Sequence, residues 1–151
     1  MMSGRRLAAA AAALLIAGLA VAPDASAAST SGARITAIYF DSPGADRGGN
    51  TSLNAEWVRI KNYTTTRRTL TGWTLRDKQN HIYRFPTFTL AAGASVRIHT
   101  GTGTNSASNR YMRESWYVWN NTGDTAYLRN AAGTLLDTCS YTSAKDPEAF
   151  C

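Results

Sequence analysis

His81 and His99 are the chain's two imidazoles. An imidazole beside a carboxylate can act as a general base, so a small hydrolase built on either histidine is one reading. The motifs that would accompany it are absent. The sequence has no G-x-S-x-G elbow for a serine nucleophile. It has no P-loop, no G-x-G-x-x-G and no H-E-x-x-H. The run GTGTNS at 101–106 is glycine-rich, but it follows a strand pattern with no helix behind it, which argues against a phosphate cradle. Oxygen donors gather around 42–54, where Asp41, Asp46 and Glu56 flank a segment that holds Asn50 and Asn54. Such groups can bind Ca²⁺. EF-hand spacing is missing, and acidic loops between strands often serve solubility alone. No catalytic residue, metal or cofactor is expected.

Two other sets of side chains could do chemistry. A nucleophilic thiolate at Cys139 or Cys151 would need a lowered pKa. An even cysteine count in an exported chain instead favours a Cys139–Cys151 disulfide. Such a bond would tie the C-terminal tail, 143–151, to the body and contribute ~3 kcal/mol. The second set is aromatic. Tyr111, Trp116, Tyr117 and Trp119 put four rings into nine residues, beside Arg110 and Arg113. Exposed rings could stack on sugars or bases, or the rings could fill the end of a core. Trp119 leans towards the core, whereas Arg110, Tyr111, Arg113, Trp116 and Tyr117 are the candidate binding residues.

The elements that must position these groups follow from the rest of the chain. Arg5 and Arg6 precede an apolar run of about 16 residues, and Ala25-Ser26-Ala27 supplies small residues at a cleavage site. A membrane-spanning helix needs ~20 apolar residues, so 1–27 reads as a secretory signal with no further span after its removal. The protein is then expected to be extracellular. Residues 28–33 read as a flexible leader. The net charge is +6 for the whole chain, and loss of Arg5, Arg6 and Asp24 lowers it by one. Such basicity suits anionic polymers or surfaces. The basic residues are scattered, however, with Arg67-Arg68 the one doublet after the signal, so a plain solvated surface is the favoured reading of the charge.

From residue 33 onward, short apolar segments alternate with Gly, Asn and Pro turns. In AEWVRIKN (55–62), Val58 and Ile60 fall on one face and Trp57, Arg59 and Lys61 on the other. In ASVRIHT (94–100), Val96 and Ile98 point inward and Arg97 and His99 outward. NNTGD (120–124) reads as a tight turn, TAYLRN as a strand, and NAAG (130–133) as a hairpin turn into TLLDTCSY. Asn62 is placed to cap a turn at a strand end. Glu56 is either hydrogen-bonded to a neighbouring segment or solvated. Trp73 follows Gly72 and is large enough to fill a core. Strands at about 8–12-residue spacing without a helical period indicate an all-β sandwich or barrel.

The pieces AEWVRIKN, TLTGWTLRD, YRFP, TLAAGASVRIHTGTG and VWNNTGDTAYLRNAAGTLLD occur in an order that resembles the lamin tail domain family in its secreted bacterial form. The residues carrying the likeness include Glu56, Trp57, Asn62, Gly72, Trp73, Trp119, Gly123 and Asp124. Trp57 stands where tyrosine is frequent, and the two cysteines are not a family feature. The likeness covers roughly 34–142, which leaves no room for an attached nuclease or hydrolase. It implies an immunoglobulin-like β-sandwich of about eight or nine strands. It also implies a non-catalytic binding or scaffolding module. The expected partners are anionic or polysaccharide polymers of the cell wall or surroundings, or another secreted protein. Extracellular nucleic-acid binding is the alternative, and the histidine-based hydrolase the second.

Overall fold

The computed structural model describes residues 32–142 and 146–151. The signal at 1–27 and most of the leader lie outside the described residues. Ala33, assigned to both the leader and the first strand by sequence, opens that strand.

Three sheets make up the fold. The larger one contains five strands, and its neighbours run β11 (Glu148–Phe150), β1 (Ala33–Tyr39), β2 (Trp57–Asn62), β7 (Ser95–His99) and β8 (Asn109–Tyr111). The second contains β10 (Leu135–Thr142), β9 (Gly123–Arg129), β4 (Thr74–Arg76) and β5 (Ile82–Arg84). A two-stranded ladder pairs β3 (Arg68–Thr69) with β6 (Thr89–Leu90), and a single helical turn, α1, spans Asn50–Leu53. The arrangement is the expected immunoglobulin-like β-sandwich. The eleven strands of the described residues exceed the expected eight or nine, and β3, β4, β5, β6, β8 and β11 are only two or three residues long. Runs that short carry too little alternation to be read from sequence.

Alternation fixes which way each strand faces. Val58, Ile60, Val96 and Ile98 are fully enclosed, while Trp57, Arg59 and Lys61 stay half-buried and Arg97 is exposed. Leu75, Tyr83, Ala126 and Leu128 line the opposite sheet, and Phe40, Trp119 and Tyr141 complete the core. The Phe40 and Tyr141 rings stack with centroids 4.1 Å apart. Trp73 was expected inside. It packs against the core from its edge, half-buried, since Leu70 and Leu75 on either side are the residues enclosed there.

Three buried polar side chains stitch the segments together. Asn62 donates to the carbonyls of Thr66, Leu90 and Ala91 and accepts from the Thr64 amide and hydroxyl, so it caps the β2 turn and also fastens β6 to it. Asp124 accepts from the Lys78 and Thr125 amides and from the Asn120 side chain, joining the start of β9 to the β4–β5 turn. Glu56 accepts from the Thr100 hydroxyl at 2.8 Å and from the Val118 amide at 3.1 Å. Cys139 and Cys151 form a disulfide with their Cα atoms 5.7 Å apart. The bond joins β10 of one sheet to the residue that follows β11, the edge strand of the other. Among the described residues, no helix is long and apolar enough to cross a membrane.

Candidate ligand-binding face

The segment 110–119 does not form one platform. Arg110 lies over the ring of buried Phe88, its Cζ 4.1 Å from the centroid. Tyr111 stacks on His99 at 5.1 Å. Arg113 is exposed and sits in a left-handed turn with φ 66°, its amide bonded to the Gly101 carbonyl. Trp119 is enclosed in the core. Trp116 and Tyr117 meet edge to face at 79°, not coplanar. Trp116 is exposed, but one side covers Gly48 so closely that a Cβ there would enter the ring. Tyr117 uses its hydroxyl on Ser52 and on the Gly48 amide. The five candidate residues therefore point to at least three different places, because the segment includes strand β8, a turn and a buried stretch.

The two histidines are also separated. His99 has both ring nitrogens engaged, Nδ1 with the Asn54 carbonyl at 2.7 Å and Nε2 with Asn109 Oδ1 at 2.8 Å. His81 places Nδ1 2.6 Å from Asp77 Oδ2, and its amide donates to Asp77 Oδ1. This is the imidazole–carboxylate contact that a hydrolase would use. It sits on the β4–β5 turn, where buried Asp77 closes the loop. The hydrogen bond to the Asp77 carboxylate raises the His81 pKa, with desolvation opposing it and the Asp77 charge adding to it. A raised pKa leaves a smaller neutral fraction of His81 to accept a proton at any given pH. His81 lines neither of the two concavities described below.

The oxygen donors around 42–54 disperse in the same way. Asp41 and Asp46 both accept from Asn121 at 3.3 Å. Asn50 and Asn54 both donate to the Thr102 carbonyl instead, and Glu56 turns into the core.

The outer face of the five-stranded sheet gathers charge from separate parts of the sequence. Across β1, β2 and β7, Arg34 faces Lys61 and Lys61 faces Ser95. One row along, Arg59 faces Arg97, and Arg97 faces Asn109 of β8. The next row is aromatic and reads Tyr39, Trp57, His99, Tyr111. A β-bulge at Thr36 interrupts β1, and its hydroxyl accepts from Arg59 Nε at 2.8 Å. Both guanidiniums of the central row lie over Trp57, Arg97 at 4.6 Å and Arg59 at 5.8 Å from the ring centroid. Lys61 Nζ lies 5.0 Å from the Tyr63 ring. Arg59, Lys61 and Arg97 line a concavity of about 520 Å³ with hydroxyl and amide side chains and no carboxylate.

The acidic residues explain why this face stays basic. Glu56, Asp77 and Asp124 are buried and hydrogen-bonded, and Asp137 accepts from the Ile35 amide. Among the described residues the only ion pair is His81 with Asp77. Glu148 lies opposite Tyr39 at the edge of the face. A second, larger concavity of about 640 Å³ lies next to the disulfide, between Tyr63, Asp137 and Phe150, and carries Arg34 on its rim.

The signal for this face was present in the sequence as the outward alternation of Arg59, Lys61 and Arg97. What the alternation did not reveal was that β2 and β7 are neighbours in register, so that scattered cations meet.

The family model of the Lamin Tail Domain matches residues 26–143. No curated protein matches the chain.

Proposed function

The chain belongs to the lamin tail domain family, and from that premise we propose a secreted, non-catalytic module that holds an anionic polymer outside the cell through the outer face of its five-stranded sheet. One observation carries this reading. Arg59, Lys61 and Arg97 share a concavity with no carboxylate in its lining, while Glu56, Asp77 and Asp124 are turned inward. Unneutralised cations concentrated on one concave face raise the local concentration of anions and steer their approach. Export is supported by the apolar run behind Arg5 and Arg6, and it agrees with the Cys139–Cys151 bond, which persists in oxidising compartments. The His81–Asp77 pair lies on a turn outside both concavities, so the immunoglobulin-like module fits binding better than turnover. Nucleic acid is the second reading and would use the same three cations.

Retention of the purified protein on immobilised polyanions, on chitin and on cellulose tests the proposal at about 50 and about 200 mM salt. Retention on the polyanions that weakens steeply at the higher salt is the expected result. Salt-independent capture by a neutral glycan, or by another secreted protein alone, overturns it.

A further inference from the structure

Arg59 and Arg97 face each other directly across neighbouring strands. Like charges in that position repel. No carboxylate neutralises them, and Thr36 and Trp57 hold them in place. Two guanidiniums that lie over one ring and line one concavity can turn donor forks to the same anion, as planar forks do for oxoanions.

We infer that the Arg59–Arg97 pair is the seat of one phosphodiester group, and that the polymer bound by this face is a phosphodiester chain gripped by its backbone. The inference rests on the polyanion reading above and narrows it. Each non-bridging oxygen of the phosphodiester takes one guanidinium. The flanking row, Arg34 and Lys61, lies two residues along the strands, ~7 Å away. It takes the next anion of the chain. Phosphodiester chains of nucleosides and of glycerol both carry one charge per short repeat, so both fit this pair of rows.

The same geometry decides how the chain is read. Trp57 would be the natural platform for a base, but the two guanidiniums lie over it. His99 and Tyr111 are stacked on each other, and Tyr39 is stacked on Trp57 at 5.7 Å. Bases therefore add little, and the charged backbone supplies the affinity.

Fluorescence anisotropy with three labelled probes of equal charge tests this: a single-stranded oligothymidylate, an abasic strand of the same length, and poly(glycerol phosphate). An oligogalacturonate of the same charge is the carboxylate comparison. The protein is expected to bind the three phosphodiester probes within about threefold of one another and the oligogalacturonate roughly tenfold more weakly. Arg59→Gln and Arg97→Gln are each expected to lower affinity roughly 5- to 10-fold and to flatten the log–log salt slope by about 0.7. Arg67→Gln, at an exposed position away from the face, leaves both unchanged. Unchanged melting temperatures show that the fold survives these substitutions. A strong preference for the oligothymidylate over the abasic strand overturns backbone reading, and equal binding of the oligogalacturonate overturns the phosphodiester class. If polyanions bind but the two arginine variants match wild type, the seat is wrong while the broader reading stands. If no polyanion binds at low salt, the broader reading fails and takes this one with it.

Discussion

Replacing Glu56 by glutamine removes the most perturbed carboxyl group of the fold. The side chain is fully enclosed. Oε2 accepts from Thr100 and Val118, whereas Oε1 has no hydrogen-bond partner. Burial raises the carboxyl pKa from its ordinary 4.5 to about 7, against the lowering effect of Val118, Thr100 and Trp119 and with the Asp46 charge adding to the rise. Between these values the native state binds a proton that the unfolded chain has released. Stability must therefore fall as pH rises through this window. The full difference is worth ~3 kcal/mol, or roughly 10 °C of melting temperature for a domain of this size. Glutamine carries no titrating proton, so the variant loses that slope whatever its own stability. Urea unfolding at a series of pH values from about 4 to 8, run on both proteins, isolates the Glu56 contribution as their difference. His81 also has a raised pKa and also loses its contribution as pH rises, but only above its ordinary 6.5, and it cancels in that difference. Parallel curves for wild type and Glu56→Gln would refute the reasoning, since they would mean that the carboxyl ionises as it does in water.

Three further outcomes follow from packing. Replacing both Cys139 and Cys151 by serine should cost ~3 kcal/mol by freeing the closed loop in the unfolded chain, and the melting temperature of the variant should become indifferent to reductant. Asn62→Ala leaves the carbonyls of Thr66, Leu90 and Ala91 without their side-chain donor, and a loss of ~2–4 kcal/mol by chemical denaturation is expected; a loss below ~1 kcal/mol would mean that water replaces the amide. Trp119→Ala should cost ~3–5 kcal/mol, as for an enclosed ring, and half-buried Trp73 should cost clearly less when truncated the same way. A larger loss at Trp73 would contradict its place at the edge of the core.

The sandwich was legible because period-two alternation is a local property. Val58 and Ile60, like Val96 and Ile98, declare an inward face within a few residues. The turn at 120–124 and the hairpin turn at 130–133 were equally local, set by Asn, Gly and Asp chemistry. Gly133 donates to the Asn130 carbonyl as a tight hairpin requires. The cationic face was not legible as a face, because it depends on strand adjacency. Arg34, Arg59 and Arg97 are far apart in sequence, and only the order β1-β2-β7 places them in adjoining rows. The rings of 110–119 diverge for the opposite reason. Their closeness along the chain says nothing of where a strand, a turn and a buried segment send successive side chains. Arg110 illustrates this, since its guanidinium packs on Phe88. Asp124 was read as a turn residue and also serves at a distance, holding the Lys78 amide.

Nuclear magnetic resonance titration with a polyanion locates the ligand on the molecule most directly. The chain has four tryptophans, and their indole N–H signals report four different places. Trp57 lies under the arginine pair, Trp73 at the core edge, Trp116 at the Gly48 loop and Trp119 in the core. The Trp57 indole and the amides of Arg34, Arg59, Lys61 and Arg97 should shift together in proportion to bound ligand. Shifts centred on Trp116 and Tyr117, with the Trp57 signal unmoved, would contradict the account.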